Sequence, residues 1–352
     1  MKLIEKVYVD TVPRAIQVIL GADIGGTNSN FGIFELTDNK LTLLFSLHAK
    51  SQQVDDFTQL CKQVQEFVAS QYDMKIQAAL FASAGVVSPD RDSSRPTNLS
   101  FEINAHAIKR ATEIPCVYVV NDFEVIGYGI NLIDTDDLVK VHHGTERKWA
   151  QKAILGAGTG LGKCIMFWNS SVNRYVPVAS EGGHADFAAQ HLIEIDLIQY
   201  IQRIEGFECN VSWENVLSGN GIQRIYQFFH ARANGGMHAQ NEKVPHPDEI
   251  FKSRNHDQHS KDTVELYTKL YARCAKNFVL DALALGGIYI AGGIAANNLP
   301  MFELPAFAKE FVNCGKQGYL LEDVPVFVVT DYNVSLYGAA YYLVLEGVCK
   351  PS

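Results

Sequence analysis

Side chains suited to chemistry gather in a few short stretches. In CVYVVNDFE (116–124) an Asn–Asp pair follows an apolar run that reads as a buried strand. Ligands of open α/β sheets bind where such strands end, so Asp122 is a candidate proton acceptor. The spacing Asn121-x-x-Glu124 also matches a capping box, and Asn121 can cap a helix while Asp122 faces a substrate. SEGGHADF (180–187) offers Glu181 and His184 around a glycine pair. A carboxylate accepts from two neighbouring hydroxyls and an imidazole donates or accepts, a mixture that suits a polyol. Zinc is conceivable on composition, but no second His or Cys lies at ligand spacing. Glu214 in SWENVLSGNG (212–221) resembles these two, or is simply a first-turn glutamate favoured by a helix dipole.

Two glycine loops point to phosphate. GADIGGTNSN (21–30) has the G-x-x-x-x-G spacing of a P-loop, with Thr27 where the lysine belongs. A P-loop must open a helix so that backbone N–H groups and the helix dipole converge on the anion. Here NSNFGIFEL continues as a β-branched and aromatic strand, so a β-hairpin loop is expected. Gly25 and Gly26, free to take positive φ, would turn N–H groups toward an anion, and Thr27 adds a hydroxyl. Asp23 would repel a bare phosphate but suits one that arrives with Mg²⁺. A plain tight hairpin is the alternative. The second loop, GAGTGLG (156–162), has glycine at every other position, which predicts close approach of another backbone or a ligand. Two such loops facing each other across a cleft would grip one polyphosphate.

The elements that must position these residues alternate. AIQVIL (15–20), FGIFEL (31–36) and LTLLFSLHA (41–49) read as strands, the last two joined by a turn at 37–40. Apolar residues from Val54 to Val68 recur at three- and four-residue spacing, which predicts a helix. Strands at 78–85 and 116–120 flank a helical segment at 103–113. The order then repeats: a strand at 152–156, the second glycine loop, a strand at 164–168, and helices at 187–204, 221–233 and 263–285. IYIA (288–291) and VPVFVVT (324–330) are strands. This predicts mixed sheets flanked by helices, in two halves that each begin strand, glycine loop, strand, with a cleft between them.

The bulk numbers agree with a globular protein. The chain has 352 residues, 47% hydrophobic and 20% charged, with net charge −9 and no Lys/Arg cluster, which argues against nucleic acid or an anionic membrane as partner. Seven scattered cysteines form no C-x-x-C pair, so neither a disulfide framework nor a zinc knuckle is expected. The N-terminus lacks a signal-peptide pattern, and 278–296 reads as helix, turn and strand rather than a membrane span. A cytoplasmic location follows.

In order, DIGGTN (23–28), VVNDF (119–123), GAGTGLG (156–162), EGGHADF (181–187), ENVLSGNG (214–221) and IAGGI (290–294) closely resemble the bacterial-type glucokinase family. That family belongs to the hexokinase–actin–Hsp70 superfamily. The resemblance implies a two-domain actin-like ATPase (ribonuclease H-like) fold with the active-site cleft between domains: a smaller α/β domain of 1–132 plus 330–352, completed by a helix at 335–348, and a larger one of 133–329. It implies transfer of the γ-phosphoryl of ATP to the 6-hydroxyl of glucose with Mg²⁺, by a cytoplasmic homodimer. Asp122 would be the general base; Asn98, Asn121, Glu181, His184 and Glu214 would bind the sugar. Gly25, Gly26, Thr27, Asn28, Gly158 and Thr159 would contact phosphate, Asp23 would serve the metal through water, and Gly292 and Gly293 would border the adenosine. A broader hexose or glucosamine kinase, a sugar sensor without turnover, and an actin- or chaperone-like ATPase are the rival readings; EGGHADF argues against the last. Phe101, where the family often has tryptophan, and Lys163, where a small apolar residue is common, are departures. Lys163 would touch phosphate or point to solvent. The cysteine-rich zinc motif of related sugar kinases is absent.

Overall fold

The structure is a computed structural model that describes residues 2–38, 40–96, 99–206, 210–235 and 244–347. It divides into two compact units, Met1–Asp134 with Asn169–Ala179 and Asp331–Ser352, and Thr135–Trp168 with Ser180–Thr330. Residues 169–179, assigned above to the larger domain, group with the first unit, where Asn131 Nδ2 donates to the Tyr175 carbonyl at 3.2 Å.

The first unit is built on strands β1 (Ile4–Val7), β2 (Gln17–Ile24), β3 (Asn28–Thr37), β4 (Lys40–Lys50), β5 (Lys75–Ser83) and, after a short ribbon of β6 (Ser93–Ser94) and β7 (Ile103–Asn104), β8 (Cys116–Asn121). The sheet order is β1-β4-β3-β2-β5-β8. β2, β3 and β4 form antiparallel hairpins, with Thr37 opposite Lys40 at the second turn, and β5 and β8 add in parallel. β2 reads QVILGADI and is buried almost throughout, as a central strand covered on both faces must be. β1 was not foreseen: its four residues are exposed and show no alternation, and only pairing with β4 makes it a strand.

One face of this sheet is covered by the helix Phe57–Tyr72, capped by Asp56 accepting from Gln59 N–H and closed at Asp73 with φ 55°. Its stripe Phe57, Leu60, Cys61, Val64 and Val68 packs with Phe31, Phe45 and Phe81; each fully buried side chain of this size contributes roughly 1.5–3 kcal/mol. The other face carries the helices Asp122–Ile130 and Val334–Leu345. They cross closely at glycines: a Cβ on Gly129 would lie 2.2 Å from the Val334 carbonyl oxygen, and one on Gly338 1.9 Å from that of Val125. Gly21, the first glycine of the P-loop-like spacing, belongs to this packing, since its Cβ would stand 2.7 Å from the Leu336 carbonyl oxygen.

The second sheet comprises β9 (Leu138–His142), β10 (Lys152–Ala157), β11 (Leu161–Asn169), β12 (Arg174–Ser180), β13 (Ile288–Ala291) and β14 (Val326–Val329), in the order β12-β11-β10-β13-β14-β9. β10 and β11 form the hairpin that carries GAGTGLG, and β13 and β14 run parallel to β10 and to each other. The long helix Gln258–Ala282, capped by Asp257 and ended by Leu283 at φ 46°, runs through the core of the second unit. Beside it lies a buried charge network: Arg273 Nη1 on Glu194 Oε2 at 2.5 Å, Arg273 Nε on Glu310 Oε1 at 2.7 Å, and Lys276 Nζ on Glu310 at 3.1 Å. The helix expected at 187–204 begins at Leu192. Residues 185–187 are extended instead, with Phe187 N–H donating to the Val211 carbonyl and Asp186 bridged to Ser212.

Candidate active site

In the first unit the parallel strands end level with one another. Ile24 pairs with Ser83, and Ser83 with Asn121. The glycine loop after β2 and the Asn121–Asp122 pair after β8 therefore leave the same edge of the sheet, two strand spacings or roughly 10 Å apart. Gly25 N–H donates to the Asn28 carbonyl at 3.0 Å and Ser51 Oγ to the Gly25 carbonyl at 2.7 Å, which fixes the loop. Gly25 and Gly26 do not take the positive φ expected of them. The tight Gly25–Asn28 turn is closed without positive φ, so no left-handed nest forms, and a Cβ on Gly25 would meet the Asn28 carbonyl oxygen at 3.4 Å. Thr27 and Asn28 are exposed, and Asn28 Oδ1 accepts from Lys50 Nζ at 2.8 Å.

Asp23 lies under this loop, half-buried, its Oδ2 accepting from Ser335 Oγ at 2.8 Å. Burial pushes its carboxyl above the usual range, opposed by that hydrogen bond. Ser335 sits in the C-terminal helix, three hundred residues away in sequence, and nothing in its local pattern signals the role. Among the described residues no group of three His, Cys, Asp or Glu is placed to hold a metal. One desolvated carboxylate beside a glycine loop fits Mg²⁺ that arrives on nucleotide phosphates, because that ion keeps most of its waters and needs only one or two carboxylates.

Asp122 opens the helix Asp122–Ile130, with Asn121 as its cap. Asn121 Oδ1 accepts from Phe123 and Glu124 N–H, its Nδ2 donates to the Gly85 carbonyl, and Asp122 Oδ1 accepts from Phe123 N–H at 2.9 Å. The capping box expected from Asn121-x-x-Glu124 is half-made. Glu124 instead binds Arg91 Nη2 at 2.8 Å, and Arg91 stacks on the Tyr342 ring while its carbonyl accepts from Val119 N–H. Burial raises the Glu124 carboxyl, and Arg91 opposes that shift. Arg91 thus ties the end of β8 to the first turn of the helix that carries Asp122.

In the second unit Glu181, His184 and Glu214 come together. His184 Nε2 lies 3.8 Å from Glu181 Oε2, and its Nδ1 4.0 Å from Glu214 Oε1. The extended pairing of 185–187 with 211–213, reinforced by the edge-on contact of Phe187 and Trp213, brings EGGHADF against SWEN. The second glycine loop supports all three. Gly183 packs on it so closely that a Cβ would stand 1.9 Å from the Leu161 carbonyl oxygen, and Leu161 N–H donates to Glu214 Oε2 at 2.9 Å. Gly160 leaves room for that carboxylate, 2.5 Å from where its Cβ would be, whereas nothing lies within 4 Å of one on Gly158. The Gly158 carbonyl accepts from Gly219 N–H at 2.9 Å, so the start of the helix Gly219–Ala233 anchors the loop beside Thr159.

Lys163 does not point to solvent. It is 5% exposed, its stem lies under Gly182, and its ammonium sits 5.1 Å from the Phe278 ring centre. Gly292 and Gly293 follow β13, and Gly156 pairs with Ala291, so they leave the sheet next to the second glycine loop. Gly292 has φ 97°, and its Cβ would meet the Ala157 carbonyl at 2.8 Å. A cavity of about 610 Å³, walled in part by Phe251, Asn297 and Asn298, opens at the far end of the short helix that Gly293 starts. Asn98 lies outside the described residues.

The architecture is that of an actin-like ATPase, with two mixed sheets each flanked by helices. A crystal structure of glucokinase from an Antarctic psychrotroph matches with a TM-score of 0.76 at 26% identity, over 93% of this chain and 99% of that one. The structure of a Balamuthia mandrillaris glucokinase in complex with glucose matches with a TM-score of 0.81 at 22% identity, over 92% and 93%. The glucokinase family model matches residues 20–346. The chain is 32% identical over 340 residues to the glucokinase of Nostoc punctiforme, covering 92% of this chain and 98% of that one. It is 33% identical over 341 residues to that of Trichormus variabilis, with the same coverage. The chain belongs to the glucokinase family.

Proposed function

We propose that this protein is an ATP-dependent glucokinase that forms glucose 6-phosphate and ADP. The observation that carries the reading is the Glu181–His184–Glu214 group, an imidazole between two carboxylates, joined through the Glu214–Leu161 hydrogen bond to a glycine loop. A sugar wall and a phosphate loop built as one piece suit a sugar phosphotransferase.

In the proposed reaction Glu181, His184 and Glu214 bind the hexose hydroxyls, with Asn121 and Asn98 as further partners. Asp122 accepts the proton of the 6-hydroxyl as that oxygen bonds to the γ-phosphorus; the bond to the β–γ bridging oxygen breaks, and ADP leaves with the electron pair. The loops Gly25–Asn28 and Gly158–Thr159 bind the phosphates, and Gly292 and Gly293 border the adenosine. Asp23 would hold Mg²⁺ through water. When bound, that ion neutralises charge on the phosphates. A homodimer in the cytoplasm, with no nucleic-acid or membrane partner, completes the proposal; no described helix is long and apolar enough to cross a membrane. A coupled-enzyme panel of hexoses and phosphoryl donors tests the activity, with light scattering for the dimer. Strong preference for glucose and ATP is expected. ATP hydrolysis indifferent to added sugar, or sugar binding without turnover, would overturn it.

A further inference from the structure

The second unit contains a cavity of about 610 Å³ between the long helix Gln258–Ala282 and the helix Pro305–Val312, adjoining the cavity at the end of the Gly293 helix, with which it shares Arg254 and Asn255. Four cationic side chains line it: Arg254, Lys261, Lys269 and Lys309. The only lining carboxylate is Glu265, already paired with Lys269 at 3.1 Å. Among the described residues, Arg254, Lys261 and Lys309 have no ion-pair partner. The chain as a whole carries a net charge of −9, so three uncompensated cations around one concavity are a local inversion of its field. Such an inversion, set in low-dielectric walls, concentrates anions. Val264 and Leu304 supply an apolar wall, and Asn255 adds hydrogen-bonding capacity. The volume falls in the range of small-molecule sites rather than single-ion sites.

We infer that this cavity binds a small phosphorylated metabolite, a phosphate monoester with a sugar-sized body. The phosphate would be met by Arg254, Lys261 and Lys309, and the body would lie on Val264 and Leu304. Arginine offers the forked donors that suit phosphate, and the two lysines add point charges on flexible stems. Lys261 and Lys309 line this cavity and not the one at the Gly293 helix, and neither takes part in the proposed phosphoryl transfer, so replacing them tests binding here separately from that reading.

The test is calorimetric titration of the full chain with ribose 5-phosphate and, in parallel, with ribose. The phosphate ester is expected to bind and the free sugar not to, with affinity falling as salt rises. The K261E/K309E double variant alters two exposed side chains; it is expected to fold as the parent does, by circular dichroism, and to phosphorylate glucose at an unchanged rate. Its affinity for ribose 5-phosphate is expected to drop at least tenfold. Unchanged affinity in the variant would place the ester elsewhere, for instance at the glycine loops, and overturn the assignment. So would the absence of any binding to the parent up to about 1 mM, the weak end of specific small-ligand affinity.

Discussion

Alanine at two neighbouring glycines of the second loop should separate its two duties. In Gly160→Ala the new methyl would stand 2.5 Å from Glu214 Oε2, the oxygen that accepts from Leu161 N–H. Backbone φ is not the obstacle, since Gly160 is not in the left-handed region. The carboxylate must swing away, and the loop loses a hydrogen bond to a charged acceptor, worth about 1.5–3 kcal/mol. At about 1.4 kcal/mol per factor of ten, kcat/KM for glucose should fall roughly 10- to 150-fold. In Gly158→Ala the methyl meets no protein atom within 4 Å. Any loss there must come from a ligand that passes close to the backbone, and so should appear in the KM for ATP with the KM for glucose unchanged. Steady-state kinetics with each substrate varied against the other, with thermal melts to confirm folding, read both effects. If Gly160→Ala left glucose kinetics intact, the coupling of loop and sugar wall through Glu214 would be refuted. If Gly158→Ala changed nothing, the loop would lose its claim to phosphate.

Asp122→Asn should lower kcat by roughly 10²–10⁴-fold while sugar affinity, read by calorimetry, holds; a smaller loss would remove Asp122 as the base. Burial raises the Asp23 carboxyl, so the ionised form needed for a metal is lost as pH falls through that raised value, and the acid limb of kcat/KM for ATP should begin above the ordinary carboxylate range. Asp23→Asn should cut turnover at least about tenfold, a typical cost of losing one preorganised electrostatic group, and melt at a higher temperature than the parent at neutral pH. The melting difference should vanish in acid, where Asp23 is also neutral; a variant that melts lower at neutral pH would contradict the desolvation argument. Arg91→Met leaves Glu124 without its cation and should cost about 1–3 kcal/mol in denaturant melts, with kcat reduced, KM for glucose held and partial rescue by Arg91→Lys. Arg273→Ala should destabilise by about 3–5 kcal/mol, because Glu194 would be left buried without a cation and Glu310 with Lys276 alone.

Local pattern made much of this molecule legible. The β-branched and aromatic strand after GADIGG rules out a helix-opening P-loop, and β2 and β3 pair as the expected antiparallel hairpin. IYIA is a strand with the expected bounds, because a short β-branched run between glycines has few alternatives. What stayed hidden depends on distant partners. β1 has no apolar face and exists through its pairing with β4. The helix expected from 187 starts five residues later because 185–187 pair with a segment 26 residues downstream, an outcome that helical periodicity cannot report. Arg91 lies in a polar loop at φ 56° with no local sign of its partner, yet it anchors the helix of the candidate base. Lys163, for which the sequence leaves phosphate or solvent open, is buried beneath Gly182, a contact between segments that local pattern does not report.

The helix Val334–Leu345 rests its Leu336 carbonyl on Gly21 and crosses the helix of Asp122 at Gly129 and Gly338. Part of one face of the first sheet, the part that the helix Asp122–Ile130 does not cover, therefore stays bare during synthesis until Val334–Leu345 has left the ribosome, although the sheet's strands are complete by residue 121. The apolar cluster of Ile19, Phe34, Leu80 and Val120 is completed only when Leu336, Ala339 and Leu343 join Val125 and Tyr128 over it. A nascent chain in that condition is exposed to aggregation, and a premature stop near residue 330 would leave the same surface bare for good.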